Sequence, residues 1–183
     1  MGAPARHPDL DMDLDHLIRT VPDFPKPGIG FRDITPLLAH AHALEEAIDR
    51  MTTLFRASHV ESVVAIESRG FLFGAPLAIR LGAGLVPCRK PGKLPAATRS
   101  RAYELEYGTA TLEIHEDALE AGARVLICDD VLATGGTLEA AIGLVGDLGA
   151  TVVGCATLIE LEGLEGRARL RGTRVESLLQ MPA

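Results

Sequence analysis

Apolar residues recur along this chain with two different periods, and the change from one to the other predicts its organisation. Leu10, Leu14, Leu17, Ile18 and Val21 follow helical spacing and predict a short N-terminal helix. The stretch from Pro22 to Gly30 is too stiff and turn-rich for a helix or a central strand. Thr35 and Pro36 then read as the cap and first residue of a second helix. Leu37, Ala41, Leu44, Ile48, Met51 and Phe55 follow at alternating steps of four and three, which predicts one long amphipathic helix running to about Phe55.

Beyond Phe55, short apolar runs alternate with helical segments. Ser62 to Ile66 predicts a buried strand, Phe71 to Leu81 a helix closed by Gly82, and Leu85 to Cys88 another strand. Residues 90–101 predict a polar, basic loop, and Tyr103 to Ile114 a β-hairpin turning near Gly108. Arg124 to Cys128 is the clearest buried strand; a glycine-rich turn follows, then a helix from about Thr137 to Leu148 that Gly149 ends. Thr151 to Leu158 and Val175 to Leu179 predict the last strands. Uninterrupted apolar strands alternating with helices imply an α/β fold, a parallel sheet covered by helices on both faces. Ligands of such folds lie at the carboxyl ends of the strands, which directs attention to residues 67–70, 89–93 and 129–137.

Composition narrows the class. A chain of 183 residues, 47% apolar and 23% charged, has the length and core of one ordinary domain and excludes disordered, collagen-like and coiled-coil architectures. No internal repeat or long linker divides it, so residues 1–183 are expected to form a single domain. No run approaches the ~20 apolar residues of a membrane helix, and the first residues lack the apolar centre of a signal peptide. Cys88, Cys128 and Cys155 form no close pair, which fits free thiols and a cytoplasmic address. The net charge of −7 argues against nucleic acid or an anionic membrane as partner. An acidic protein that handles an anion must do so with a local cluster.

The segment Val125 to Thr137 supplies one. It runs from a buried strand through Asp129 and Asp130, past Ala133 and Thr134, to Gly135, Gly136 and Thr137 at a helix start. Glycines there turn several N–H groups toward one point, the helix adds unpaired N–H groups and the positive end of its dipole, and the threonines add hydroxyls. Such a cup suits a phosphate. The two carboxylates cannot share it, and suit neutral hydroxyls or a metal ion a few ångströms away; a phosphate with a diol near it is a ribose 5-phosphate. No G-x-x-x-x-G-K-[ST] loop occurs, and neither Gly28-x-Gly30 nor Gly82-x-Gly84 completes a dinucleotide fingerprint.

This run resembles the phosphoribosyl-diphosphate (PRPP) signature of the type I phosphoribosyltransferase family. Four further segments, Phe24–Pro36, Glu67–Gly74, Arg89–Pro95 and Tyr103–Gly108, resemble the adenine-using branch of that family. The resemblance covers nearly everything from Leu14 to Gln180, in order. It implies a single domain with a small base-binding hood at about 9–36, a flexible hairpin lid at about 90–114 and the PRPP loop at 125–137. The implied reaction is adenine + PRPP → AMP + pyrophosphate with Mg²⁺, the ion being held mainly by substrate oxygens and water with no direct protein ligand.

Roles follow from the same resemblance. Asp129 and Asp130 bind the ribose hydroxyls; Ala133, Thr134, Gly135, Gly136 and Thr137 bind the 5′-phosphate. Ser68, Arg69, Arg89, Lys90 and Lys93 meet the pyrophosphate, on which negative charge develops as the bond to ribose breaks. In relatives the Ser-Arg peptide is cis, which implies a cis bond between Ser68 and Arg69. The position of Arg89 can reach the neighbouring subunit's site, which implies a homodimer. Phe31 stacks on the purine, with the backbone of Gly30 and Arg32 along its edge. Gly30 departs from the branched aliphatic residue of some relatives and loses its packing against the base. Glu106 is the general acid/base candidate and Tyr107 closes over the site. Arg99 and Arg101, although in the same acid-free stretch, take no role from the resemblance. Cys88, beside Arg89 and Lys90, is a candidate for a lowered thiol pKa, and the six histidines show no metal spacing.

Two other readings compete. A phosphoribosyltransferase for another base would share the PRPP loop, and only Phe24–Pro36 and Glu106 favour adenine. A PRPP-sensing regulator would need a nucleic-acid surface, for which this chain has neither an added helix-turn-helix nor a basic excess.

Overall fold

The computed structural model describes residues 12–104 and 108–183. The chain separates into two compact units, Met1–Ala47 and Ile48–Ala183.

In the first unit, a single 3-10 turn at Asp15–Leu17 is followed by strand β1, Arg19–Val21, antiparallel to β2, Phe31–Asp33. The expected N-terminal helix is therefore confined, among the described residues, to that one turn. Ile18 is already extended, because the backbone from Arg19 pairs with the strand beyond the Pro/Gly loop. Arg19 Nε donates to Asp33 Oδ2 at 3.0 Å, closing the ladder with an ion pair.

Helix α1, Thr35–Ala39, and helix α2, Ala41–Phe55, replace the one long helix expected. His40 between them is extended, and its Nδ1 accepts the Ala43 N–H at 3.2 Å, so an imidazole caps the first turn of α2. At the start of α1 the cap is Ile34 rather than Thr35. The Asp33 carboxylate accepts both the N–H and the hydroxyl of Thr35 at 2.9 Å. The Thr35 N–H and the Arg19 guanidinium hold the Asp33 carboxyl down at about 2.

The second unit continues with a 3-10 turn at Arg56–Ser58, β3 (Ser62–Ile66), α3 (Gly70–Leu81), β4 (Gly84–Cys88), β5 (Thr98–Glu104) and β6 (Thr109–His115). Then come β7 (Arg124–Leu132), α4 (Gly136–Asp147), β8 (Thr151–Glu162), the short α5 (Gly166–Arg169) and β9 (Val175–Pro182). Five strands form one parallel sheet in the order β4-β3-β7-β8-β9. These five strands were all legible, but β7, β8 and β9 run three or four residues past their expected ends at Cys128, Leu158 and Leu179.

Alternation of side chains assigns the two faces. Val64, Ile66, Val125 and Ile127 join Leu138, Ala141, Leu144 and Val145 of α4 in one buried cluster. On the other face, Gly74 of α3 lies against Ala65 and Cys128, and Phe73 and Leu77 of α3 are fully buried. With both faces covered, the buried length of a middle strand must be apolar, which is the composition of Val63–Ile66 in β3 and Val125–Cys128 in β7. Burial pushes the Cys88 and Cys155 thiols up to about 12 and raises Cys128 as well, so the lowered thiol considered for Cys88 is not present. Desolvation outweighs the cations that follow Cys88 in sequence.

The hairpin β5–β6 is longer than expected and takes in the second half of the basic stretch. Its seven paired rungs run from Thr98↔His115 to Glu104↔Thr109. An antiparallel bridge between Arg89 and Glu113 fastens β6 to the end of β4. Among the described residues, no helix is long and apolar enough to cross a membrane.

Candidate active site

Strand β7 does not stop at Cys128: Asp129 still pairs with Thr157 and Leu132 with Glu160, so both acids are strand residues in the sheet's centre. Their burial is nearly complete, at 9% and 4% exposure. Desolvation, and for Asp129 also the neighbouring Asp130 charge, raises both carboxyls above the ordinary range. Asp129 Oδ1 accepts the Asp130 N–H at 2.9 Å, and Asp130 Oδ2 lies 2.6 Å from Arg69 Nε. The ribose-binding acid and the pyrophosphate-binding arginine of the sequence reading are thus joined to each other.

Arg69 reaches that position because the chain turns sharply after β3. The Glu67 N–H still belongs to the sheet, donating to the Cys88 carbonyl at 2.9 Å. The next peptide, Glu67–Ser68, is cis, one residue earlier than the expected Ser68–Arg69 bond. It is the first peptide past the ladder, where the backbone is free to leave strand geometry. Glu67, which sequence reasoning left without a role, accepts from Arg89 Nε at 2.9 Å. Arg89 also donates to the Lys93 carbonyl at 3.2 Å and stands 5.9 Å from the Phe71 ring centre. Ser68, Lys90 and Lys93 are exposed.

The loop expected to hold phosphate leads directly into the start of α4. Gly135 takes φ 82°, a left-handed conformation, and has no side chain to occupy the first N–H groups of the helix. Gly136 is buried, whereas Ala133, Thr134 and Thr137 remain partly accessible. What holds this loop was not foreseen. Gly166 backs directly onto it: a Cβ at Gly135 would stand 2.7 Å from the Gly166 carbonyl oxygen, and one at Gly166 would overlap the Ala133 carbonyl. The only sequence signal was a glycine pair at 163 and 166 between the last two predicted strands.

Gly30, Phe31 and Arg32 belong to the first unit. Phe31 is half-buried in β2 and meets Phe24 edge-to-face, with ring centres 5.1 Å apart. The Arg32 guanidinium bonds the Thr20 hydroxyl on β1. Glu106 and Tyr107 lie outside the described residues.

The order of the sheet, the acid pair at its central strand and the glycine-backed helix start define a class, and comparison with known proteins agrees. The family described as "Phosphoribosyl transferase domain" matches residues 36–178, and the chain belongs to the phosphoribosyltransferase family. It is 57% identical over 169 residues to the adenine phosphoribosyltransferase of Acaryochloris marina, covering 92% of this chain and 99% of that one. The crystal structure of the Thermoanaerobacter pseudethanolicus adenine phosphoribosyltransferase superposes with a TM-score of 0.90 at 52% identity, covering 92% and 98%. That of the Saccharomyces cerevisiae enzyme, complexed with an imino-altritol bisphosphate and adenine, gives 0.86 at 39% identity, covering 91% and 96%. Its place in the family is among the adenine phosphoribosyltransferases.

Proposed function

We infer that this chain joins adenine to PRPP, giving AMP and pyrophosphate, as a purine-salvage enzyme. The observation that carries the reading is the acid pair of β7 ending at the N-terminus of α4, with Arg69 brought to it from the turn after β3. A ribose 5-phosphate fits that arrangement, with its phosphate on the helix N–H groups and its hydroxyls on Asp129 and Asp130.

As the bond from ribose C1 to pyrophosphate breaks, positive charge develops on the sugar and negative charge on the leaving group. In the free enzyme Asp130 holds Arg69. With substrate bound, Asp130 turns to a ribose hydroxyl and Arg69, with the Ser68 backbone, is released to the pyrophosphate. Arg89, Lys90 and Lys93 complete the cationic lining. Phe31 stacks on the purine, the backbone at Gly30 and Arg32 reads its edge, Glu106 handles the purine's proton and Tyr107 covers the site. The domain reading, with a hood at about 9–36, a lid at about 90–114 and the PRPP loop at 125–137, is retained with these roles.

Mg²⁺ favours substrate phosphate oxygens supplemented by one or two carboxylates and water. Among the described residues no group of three His, Cys, Asp or Glu is placed to hold an ion alone. The ion would be held mainly by PRPP oxygens and water, with the carboxylates of Asp129 and Asp130 the hard oxygen donors nearest to that water, and would neutralise charge on the pyrophosphate. A homodimer in the cytoplasm, without nucleic acid or membrane as partner, completes the reading. The dimer's support is the set of exposed apolar side chains Leu72 and Ile79 on α3 and Leu85 on the edge strand β4, which are 46%, 80% and 44% exposed.

Incubating the protein with PRPP, Mg²⁺ and each of adenine, hypoxanthine, guanine and orotate tests the assignment. AMP from adenine is the expected product; turnover of another base in preference to adenine would overturn it.

A further inference from the structure

We propose that helix α4 carries a seat for the β5–β6 hairpin, and that Arg101, Gly143 and Asp147 form the latch that holds the hairpin in it. The proposal rests on the lid reading of this hairpin and assigns residues to its control.

Gly136, Ala140, Gly143 and Asp147 recur at steps of four, three and four, so they form one stripe along α4. Strand β5 lies on that stripe. At the N-terminal end a Cβ on Gly136 would stand 2.7 Å from the Glu104 carbonyl oxygen and 3.5 Å from the Tyr103 ring. Two turns further, a Cβ on Gly143 would fall onto the Arg101 guanidinium, whose Nη2 donates to Asp147 Oδ1 at 3.2 Å. The spacing matches: three strand steps from Arg101 to Glu104 at about 3.3 Å each equal seven helical steps from Gly143 to Gly136 at about 1.5 Å each. Strand and helix are therefore in register over their shared length, and β5 ends at the same helix terminus that forms the phosphate cup. A second ion pair, Arg169 Nε to Glu139 Oε2 at 2.6 Å, flanks that end.

Arg101 thus has a use other than binding an anion, and Gly143 has one too: without a side chain it leaves room for the guanidinium. The two charged side chains of the latch are 45% and 42% exposed. Such a pair is weak and screened by salt, which suits a contact that must open and close with each turnover. If the seated hairpin is the state that retains PRPP, weakening the latch lowers the population of that state and hence the apparent affinity, while saturating substrate restores it.

Gly143→Ala places a methyl where the guanidinium lies, and Asp147→Asn removes its charge; both leave Arg101 as a trypsin site. The proposal expects cleavage after Arg101, followed by mass spectrometry, to accelerate about two- to fivefold in each variant, with the difference shrinking at about 1 M salt. KM for PRPP rises by no more than the same factor while kcat holds. Thermal stability of Gly143→Ala is not reduced, since alanine is the better helix former. Asp147→Glu, which keeps the charge, restores wild-type cleavage. Unchanged cleavage in both Gly143→Ala and Asp147→Asn overturns the latch. Faster cleavage with unchanged KM upholds the latch and overturns the lid reading instead.

Discussion

Asp129 is an acid in the middle of a buried strand, and its ionisation opposes folding. An acid whose folded pKa lies above its unfolded value of about 3.9 binds more protons in the native state, so stability falls as pH rises past that value. Asn keeps the shape and does not titrate. Asp129→Asn is therefore expected to melt higher relative to wild type at pH 7 than at pH 4, while its KM for PRPP rises; thermal melts across pH and steady-state assays check the two halves. Asp33 behaves oppositely. Its pKa of about 2 means that its contribution is present above about pH 4 and disappears as pH falls toward 2. Melts of Asp33→Asn and wild type should accordingly converge over that acid range. Glu106→Leu removes the proposed proton carrier but no phosphate contact; most turnover should be lost with PRPP affinity kept, and unchanged turnover would refute the role.

At the scale of elements, the start of α4 depends on a residue that contributes no chemistry. Gly166→Ala drives a methyl into the backbone carbonyl of Ala133. The expected cost is about 1–3 kcal/mol of stability, together with a raised KM for PRPP; denaturant melts and PRPP titration measure each. The sequence run from Val125 to Thr137 pointed to the proposed cup but not to its backing, because the contact joins segments some thirty residues apart through the backbone of Ala133 and Gly166, which leaves no side-chain pattern. Other differences have equally local causes. The break at His40 falls where apolar spacing is undisturbed, so periodicity carries no sign of it. The first part of strand β5, Thr98 to Arg101, reads as loop because its residues are mostly exposed and bury no alternating apolar face. Strands β1 and β2 have only three residues each, too few to show a period of two. Parallel strands buried on both faces, by contrast, were legible as plain apolar runs.

For the whole molecule, the net charge of −7 leaves less free cation than the basic stretch suggests. Arg89, Arg99 and Arg101 are paired with Glu67, Glu116 and Asp147. In the proposed function, phosphate recognition accordingly falls to helix N–H groups, which formal charge does not count, and to cations released by exchange of partners. The exposed apolar side chains on α3 and β4 bear on the proposed assembly: Ile79→Glu should convert a dimer to monomers in sedimentation velocity, and a monomeric wild type would remove the basis for a shared site. The strand order also has a consequence for synthesis. β3 and β4 can pair early, but the other edge of β3 waits for β7, as the bond between Glu61 and Arg124, 63 residues apart, makes plain. At translation rates of about 5–20 residues per second, a fully apolar strand edge stays open for several seconds on the ribosome. That interval, rather than the finished fold, is when this protein is most exposed to misassociation, and when a chaperone that masks β3 would have most to do.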